Sequence, residues 1–127
     1  MAETTALILY GFLVLLTLLL QATGALTQLG MGYLLGSRDE GRTVGGIAAR
    51  LERALNNSVT AMVLFAPAVL LIEMTDKSTN QTMMAATAFL IARVVYLPAY
   101  AFGIIGIRSL AWTVGFFATV LLYFLAL

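Results

Sequence analysis

The sequence predicts an all-α integral membrane protein, a bundle of four helices, and three observations carry that prediction. Of 127 residues 61% are hydrophobic and only 10% charged, whereas a soluble domain carries about 25% charged residues. Mean hydropathy is +0.99. Four apolar stretches each approach the ~20 residues that a bilayer-spanning helix needs. The thirteen charges, seven basic and six acidic, could not cover a globule of this size with polar surface. A net charge of +1 supplies no basic field for nucleic acid, and the absence of His and Cys removes the usual ligands of zinc and haem, thiol nucleophiles and imidazole bases.

The first span is expected over about 6–35, opening Ala6-Leu7-Ile8-Leu9. Its roughly 45 Å of helix exceeds the hydrocarbon thickness, so it must tilt or project. No basic region precedes it, since the chain opens Met1-Ala2-Glu3, and it reads as a retained helix rather than a cleaved signal. Gly36 to Gly46, with Arg38, Asp39, Glu40 and Arg42, reads as a polar loop.

The second span, about 47–73, begins amphipathic (Arg50, Glu52, Arg53, Asn56, Asn57, Ser58) and turns apolar from Met62 to Ile72. Asp76 to Thr82 connects it to a third span at about 83–107, and the fourth follows at about 109–127. Links this short imply antiparallel neighbours in a single domain covering 1–127. Arg38, Arg42, Arg50, Arg53 and Arg108 fall near the first and third loops, while the second loop has only Lys77. The positive-inside rule then puts the first and third loops in the cytoplasm and both termini outside.

Polar residues at hydrocarbon depth carry the functional information, because each costs free energy unless partnered. Arg53, Asn57 and Thr60 stand at i, i+4 and i+7 on one face of the second span, and Arg93, Tyr96 and Tyr100 share a face of the third. With the arginine-side boundary set at Arg50 and Arg108, the helical rise puts Asn57 at roughly 10 Å depth, Tyr100 at roughly 12 Å and Arg93 at roughly 22 Å. These stripes describe a polar funnel suited to an anionic ligand, since arginine keeps its charge when buried and binds carboxylates bidentately. Arg93 has no acidic residue at its depth. Gln21, the tyrosines, backbone carbonyls or a bound anion are its candidate partners. On the first span, Thr17, Gln21, Gly24 and Gln28 fit interhelical hydrogen bonding better than ligand binding, and Gly32-x-x-x-Gly36 fits a packing seam. Tyr10, Tyr33, Trp112 and Tyr123 read as packing or interfacial aromatics.

Two stretches carry a resemblance. Arg50-Leu-Glu-Arg53-Ala54-x-x-Asn57, running into Val63-Leu-Phe65-Ala-Pro67, and Ala92-Arg93-x-x-Tyr96-x-x-x-Tyr100 followed by Gly103, Arg108-Ser109 and Trp112 are similar to the paired motifs of the membrane-associated proteins in eicosanoid and glutathione metabolism, the MAPEG family. The resemblance implies a homotrimer, of bacterial inner-membrane type, with glutathione as co-substrate, no metal, and a lipophilic substrate or lipid as second partner. It assigns glutathione contacts to Arg53, Asn57, Thr60, Arg93, Tyr96 and Tyr100, and thiolate activation to Arg108. The implied activity is transfer of glutathione to lipophilic electrophiles or reduction of lipid hydroperoxides. Catalytic members carry Glu where this chain has Thr60, which opens the alternative of a non-enzymatic lipid-binding or accessory subunit. Arg38 reads as a solvated loop charge. A four-helix multidrug exporter is disfavoured, because the first span has no acid after Glu3.

Overall fold

The computed structural model describes residues 1–38 and 41–127; Asp39 and Glu40 of the polar loop lie outside the described residues. Helices α1 (Glu3–Leu29), α2 (Met31–Leu35), α3 (Gly46–Met74), α4 (Asn80–Ala101) and α5 (Ile105–Ala126) follow in order. Four of them, α1, α3, α4 and α5, are long and apolar enough to cross a membrane. Helices α3 and α4 each pack on the other three spans, while α1 and α5 flank the bundle with no close backbone approach to each other among the described residues.

Helix boundaries differ from the sequence expectations for local reasons. The first span breaks at Gly30, whose φ of 87° is a conformation that only glycine adopts cheaply. The break leaves α2 as a separate five-residue turn. Gln28 sits just before it and makes a reciprocal pair with Gly45: Nε2 donates to the carbonyl at 3.0 Å, and the Gly45 amide donates to Oε1 at 2.8 Å. Gln28 is therefore a clamp on the end of the first loop, outside the polar funnel. Within the protomer nothing lies within 4 Å of a Cβ built at Gly32. Close approach occurs at Gly24, where an added Cβ would stand 3.0 Å from the Ala48 Cβ of α3.

Helix α4 starts at Asn80 because Thr79 and Thr82 form a reciprocal capping box. It ends six residues earlier than expected. The Ile104 amide donates to the Ala99 carbonyl at 2.8 Å and the Gly103 amide to the Tyr100 carbonyl at 3.1 Å, with Gly103 at φ +73°. This is a Schellman termination, which turns the chain sharply and satisfies the last carbonyls. Arg108 consequently lies in the first turn of α5, not in a loop.

The core is small residues and one aromatic stack. Ala54, Ala68 and Ala86 are fully buried, allowing backbones to approach as lipid-embedded packing requires. Phe65 and Phe89 stack at 3.9 Å, and the Tyr10 ring meets Phe89 edge-on at 4.9 Å. Tyr10 is thus wholly internal, and its hydroxyl donates to the Ser58 carbonyl at 2.8 Å. Of the two roles open to it, packing is the one it fills.

At the end away from the arginines, Glu3 is buried and accepts from the Thr82 hydroxyl at 2.6 Å and the Ser78 hydroxyl at 2.8 Å. This carboxylate ties the start of α1 to the N-terminus of α4, where the helix dipole favours negative charge. Lys77 caps the other neighbour, donating to the Ala126 carbonyl of α5 at 3.0 Å. Glu3→Ala takes its charged acceptor from the buried Thr82 hydroxyl and from the exposed Ser78 hydroxyl and should lower stability by about 1–2 kcal/mol. Unfolding midpoints in mixed detergent micelles will show it; an unchanged midpoint would make the cluster incidental.

Candidate functional site

Five arginines, Arg38, Arg42, Arg50, Arg53 and Arg108, gather at the end of the bundle where α1 and α4 finish and α3 and α5 begin. Arg50 sets the level of the helices. Its Nε donates to the Ala101 carbonyl at 2.8 Å, so α3 at Arg50 and α4 at Ala101 reach the same height. That height revises the depth of Arg93. Counted from Ala101, Arg93 is about 12 Å down, and Asn57 counted from Arg50 is about 10 Å down. The depth expected from sequence is too great for Arg93 because it runs the third span on to 107.

Arg93 and Asn57 accordingly meet. The Arg93 Nη1 donates to Asn57 Oδ1 at 2.8 Å and Nη2 donates to Ser58 Oγ at 3.0 Å. The guanidinium lies 4.0 Å from the Tyr96 ring centroid and 6.0 Å from that of Tyr10. Arg93 is 3% exposed. Neutral acceptors and ring faces solvate it in place of a carboxylate, each a charge-assisted or cation–π contact worth more than its neutral counterpart. Its Nε–H is buried without a partner among the described residues. Gln21 makes no hydrogen bond to it. Arg93 and the buried Tyr96 thus stand behind Asn57 and Tyr100, which they contact.

The surface of the site is made by Arg53, Tyr100 and Arg108. Arg53 Nε donates to the Tyr100 hydroxyl oxygen at 3.2 Å, and the Arg108 guanidinium lies over the Tyr100 ring at 4.7 Å. Tyr100 packs against Tyr96 with centroids 5.5 Å apart. Two cations therefore flank one phenol, which lets them share a small area despite their repulsion. The Schellman turn brings them together: ending α4 one residue after Tyr100 and starting α5 at Ile105 returns Arg108 directly to the Tyr100 ring.

Below this cluster, a cleft of about 320 Å³ runs between α3 and α5. Asn57, Thr60 and Trp112 line its upper end, Phe89 and Gly115 its back, and Leu64 and Tyr123 its lower end. Asn57 and Trp112 stand four residues beyond Arg53 and Arg108, one helical turn below each. The lower end is closed by the Tyr123 hydroxyl, which donates to the Leu64 carbonyl at 2.7 Å. Thr60 lines the cleft, but its hydroxyl proton is committed to the Asn56 carbonyl at 3.0 Å.

Four of the seven candidate residues, Arg53, Asn57, Tyr100 and Arg108, thus form a continuous surface with Thr60 at its lower edge. Two residues escape the sequence reading of the site. Ser58 reads as one of several polar residues on an amphipathic turn, and Tyr10 as a packing ring; only the register of α3 against α4 shows both facing Arg93. Arg38 also has a structural role, donating from its guanidinium to the Leu34 carbonyl at 3.2 Å and so capping α2.

A membrane-spanning four-helix bundle with a cationic, aromatic recess above an apolar cleft defines the class. No cluster of His, Cys, Asp and Glu suited to a metal ion occurs among the described residues. The chain belongs to the MAPEG family, whose family model matches residues 4–127, nearly its whole length. Neither a curated protein nor a solved structure is a match to it.

Proposed function

We propose that this protein is a glutathione-dependent transferase or peroxidase that acts on lipophilic electrophiles or lipid hydroperoxides. The observation that carries the reading is the placement of Arg53 and Arg108 on either side of Tyr100, directly above the apolar cleft between α3 and α5. Glutathione is an anionic peptide. Its carboxylates suit Arg53 and its thiol suits Arg108, because a cation beside a thiol favours the thiolate, the nucleophilic form. Asn57 would contribute amide donors one turn below. The apolar partner would occupy the cleft and reach the thiolate without entering water.

Arg93 and Tyr96 are positioning residues in this scheme. The arginine end would face the cytoplasm of a bacterial inner membrane, where glutathione is available, with both termini on the other side. Homotrimer formation would cover part of the apolar flanks and supply any acidic group that the protomer lacks.

Thr60 favours a second reading, a lipid-binding or accessory subunit without turnover. Its hydroxyl is tied to its own helix and offers no charge to the ammonium group of glutathione. Titration calorimetry of the detergent-purified protein with millimolar glutathione separates the two: binding supports the first reading, and no heat rules it out. Thr60→Glu should then tighten glutathione binding by about tenfold, as a charge-assisted hydrogen bond of ~1.4 kcal/mol predicts. Unchanged affinity would mean that the ammonium lies elsewhere.

A further inference from the structure

The segment that joins α1 to α3 takes no part in the site described above, and the heights of the helices show where it stands. Glu3 meets Thr82 at one end of the bundle and Arg50 meets Ala101 at the other. Starting level with Thr82, α1 reaches the height of Ala101 near Ala22 and runs on for about 10 Å to Leu29. The turn α2 therefore lies past the end of α4, at the height of phospholipid headgroups in a bilayer that these helices span. Met31 and Leu35, at i and i+4, share one side of that turn and are 54% and 78% exposed. Tyr33 takes the opposite side and organises the loop: its hydroxyl accepts from the Arg42 amide at 2.7 Å, and the Arg42 guanidinium lies 4.8 Å from its ring centroid. Arg38 Nε and Nη2 both donate to the Leu34 carbonyl, at 3.3 and 3.2 Å. Two of the five guanidinium N–H groups thus cap α2 and fix the fork, while the three on its outer edge meet no acceptor among the described residues.

We propose that α2 and Arg38 dock an anionic phospholipid of the surrounding bilayer, the outer edge of the Arg38 fork on its phosphate and Met31 and Leu35 against its acyl chains. Neither glutathione nor the α3–α5 cleft takes part. The occupant follows from a fixed guanidinium fork and an uncovered apolar pair within eight residues of chain. A soluble phosphate would satisfy the fork alone, since paired N–H groups match phosphate oxygens whatever else the molecule carries. An apolar helix would cover Met31 and Leu35 alone. A phospholipid brings both groups on one molecule and is already present at this height. Net charge selects its class. The arginine end holds five of the seven cations of the chain and three of its six acids, Asp39, Glu40 and Glu52, and basic segments at a membrane surface draw anionic headgroups. The lipid anchors the first loop, which the Gln28–Gly45 pair ties to the start of α3.

Trp112 is the only tryptophan of the chain, so Leu35→Trp combined with Trp112→Phe moves the single fluorophore to the exposed side of α2. The full chain is placed in phosphatidylcholine nanodiscs without glutathione. Quenching is compared between equal mole fractions of dibrominated phosphatidylglycerol and dibrominated phosphatidylcholine. Both lipids should quench, and the relative association of phosphatidylglycerol should be about fivefold higher, the factor that one arginine near the surface contributes. Arg38→Gln should remove that preference. Because the same change also uncaps α2, a second measurement leaves Arg38 intact: about 1 M sodium chloride should abolish the preference by screening while quenching by both lipids persists. Inorganic phosphate at matched ionic strength should leave the signal unchanged. Equal association of the two lipids at low salt, a preference that survives Arg38→Gln or high salt, or displacement of the lipid by inorganic phosphate would each overturn the proposal. So would an absence of quenching by either lipid, the result expected if a second copy of the chain or bulk water covers α2. No thiol is present, and these outcomes stand whether or not the protein binds glutathione.

Discussion

Arg108→Ala should lower the turnover of a glutathione conjugation or peroxidase assay by about 100-fold while glutathione affinity changes by less than about threefold. The reason is differential: the guanidinium over Tyr100 interacts weakly with a neutral thiol and strongly with a thiolate, so its loss falls on the reactive form rather than on binding. A second readout tests the cause. If Arg108 acts by stabilising thiolate, the pH–rate profile of the variant should shift upward toward the ~8.5 of an unassisted thiol, and Arg108→Lys should restore part of both rate and profile. Arg53→Ala, by contrast, should raise KM more than it lowers kcat, because Arg53 is placed to hold a carboxylate. A variant of Arg108 with normal turnover and an unmoved pH profile would remove the thiolate role from this residue.

Asn57→Leu is expected to produce the largest loss of stability of any single substitution at the site, about 2–3 kcal/mol. Arg93 would lose its strongest acceptor while remaining buried, with only Ser58 and the tyrosine rings to solvate it. The double variant Asn57→Leu with Arg93→Met should recover most of that loss, because a long apolar side chain fills the same space without a charge to compensate. Reversible unfolding in mixed micelles gives all three values as a cycle. If the two single losses simply add, the Arg93–Asn57 contact is not the coupling described above.

Much of this architecture is legible in the sequence because a bilayer imposes strong constraints. Length and apolar content fix four spanning helices, and the clustering of arginines fixes that they share one end. The i, i+4, i+7 spacing of Arg53, Asn57 and Thr60 is enough by itself to place them on one helical face. What sequence does not show is the height of one helix against another. The third span contains no charge between Arg93 and Arg108 to mark its end, and the Schellman turn at Gly103 has only one glycine as its signal, with another at Gly106 a few residues on. Ending α4 at Ala101 rather than 107 moves Arg93 up by several residues of helix, and that shift alone brings it level with Asn57 and Ser58. Gln28 illustrates the same point. Its spacing suits hydrogen bonding between helices, and the break at Gly30 directs that bonding to the backbone of Gly45.

For the reaction proposed, the termination of α4 immediately after Tyr100 would also decide which media the two partners come from. Tyr100 is one residue from the end of its helix and Arg108 three residues from the start of the next, so in a bilayer spanned by these helices the guanidinium pair would stand at the seam between headgroups and acyl chains. A hydrophilic peptide can arrive there from water without dehydrating fully, while an oil-soluble compound can come up the cleft without leaving hydrocarbon. Under the proposed function two reactants with opposite partition coefficients would therefore meet at a fixed altitude, one written into the lengths of the helices more than into the residues assigned to the chemistry.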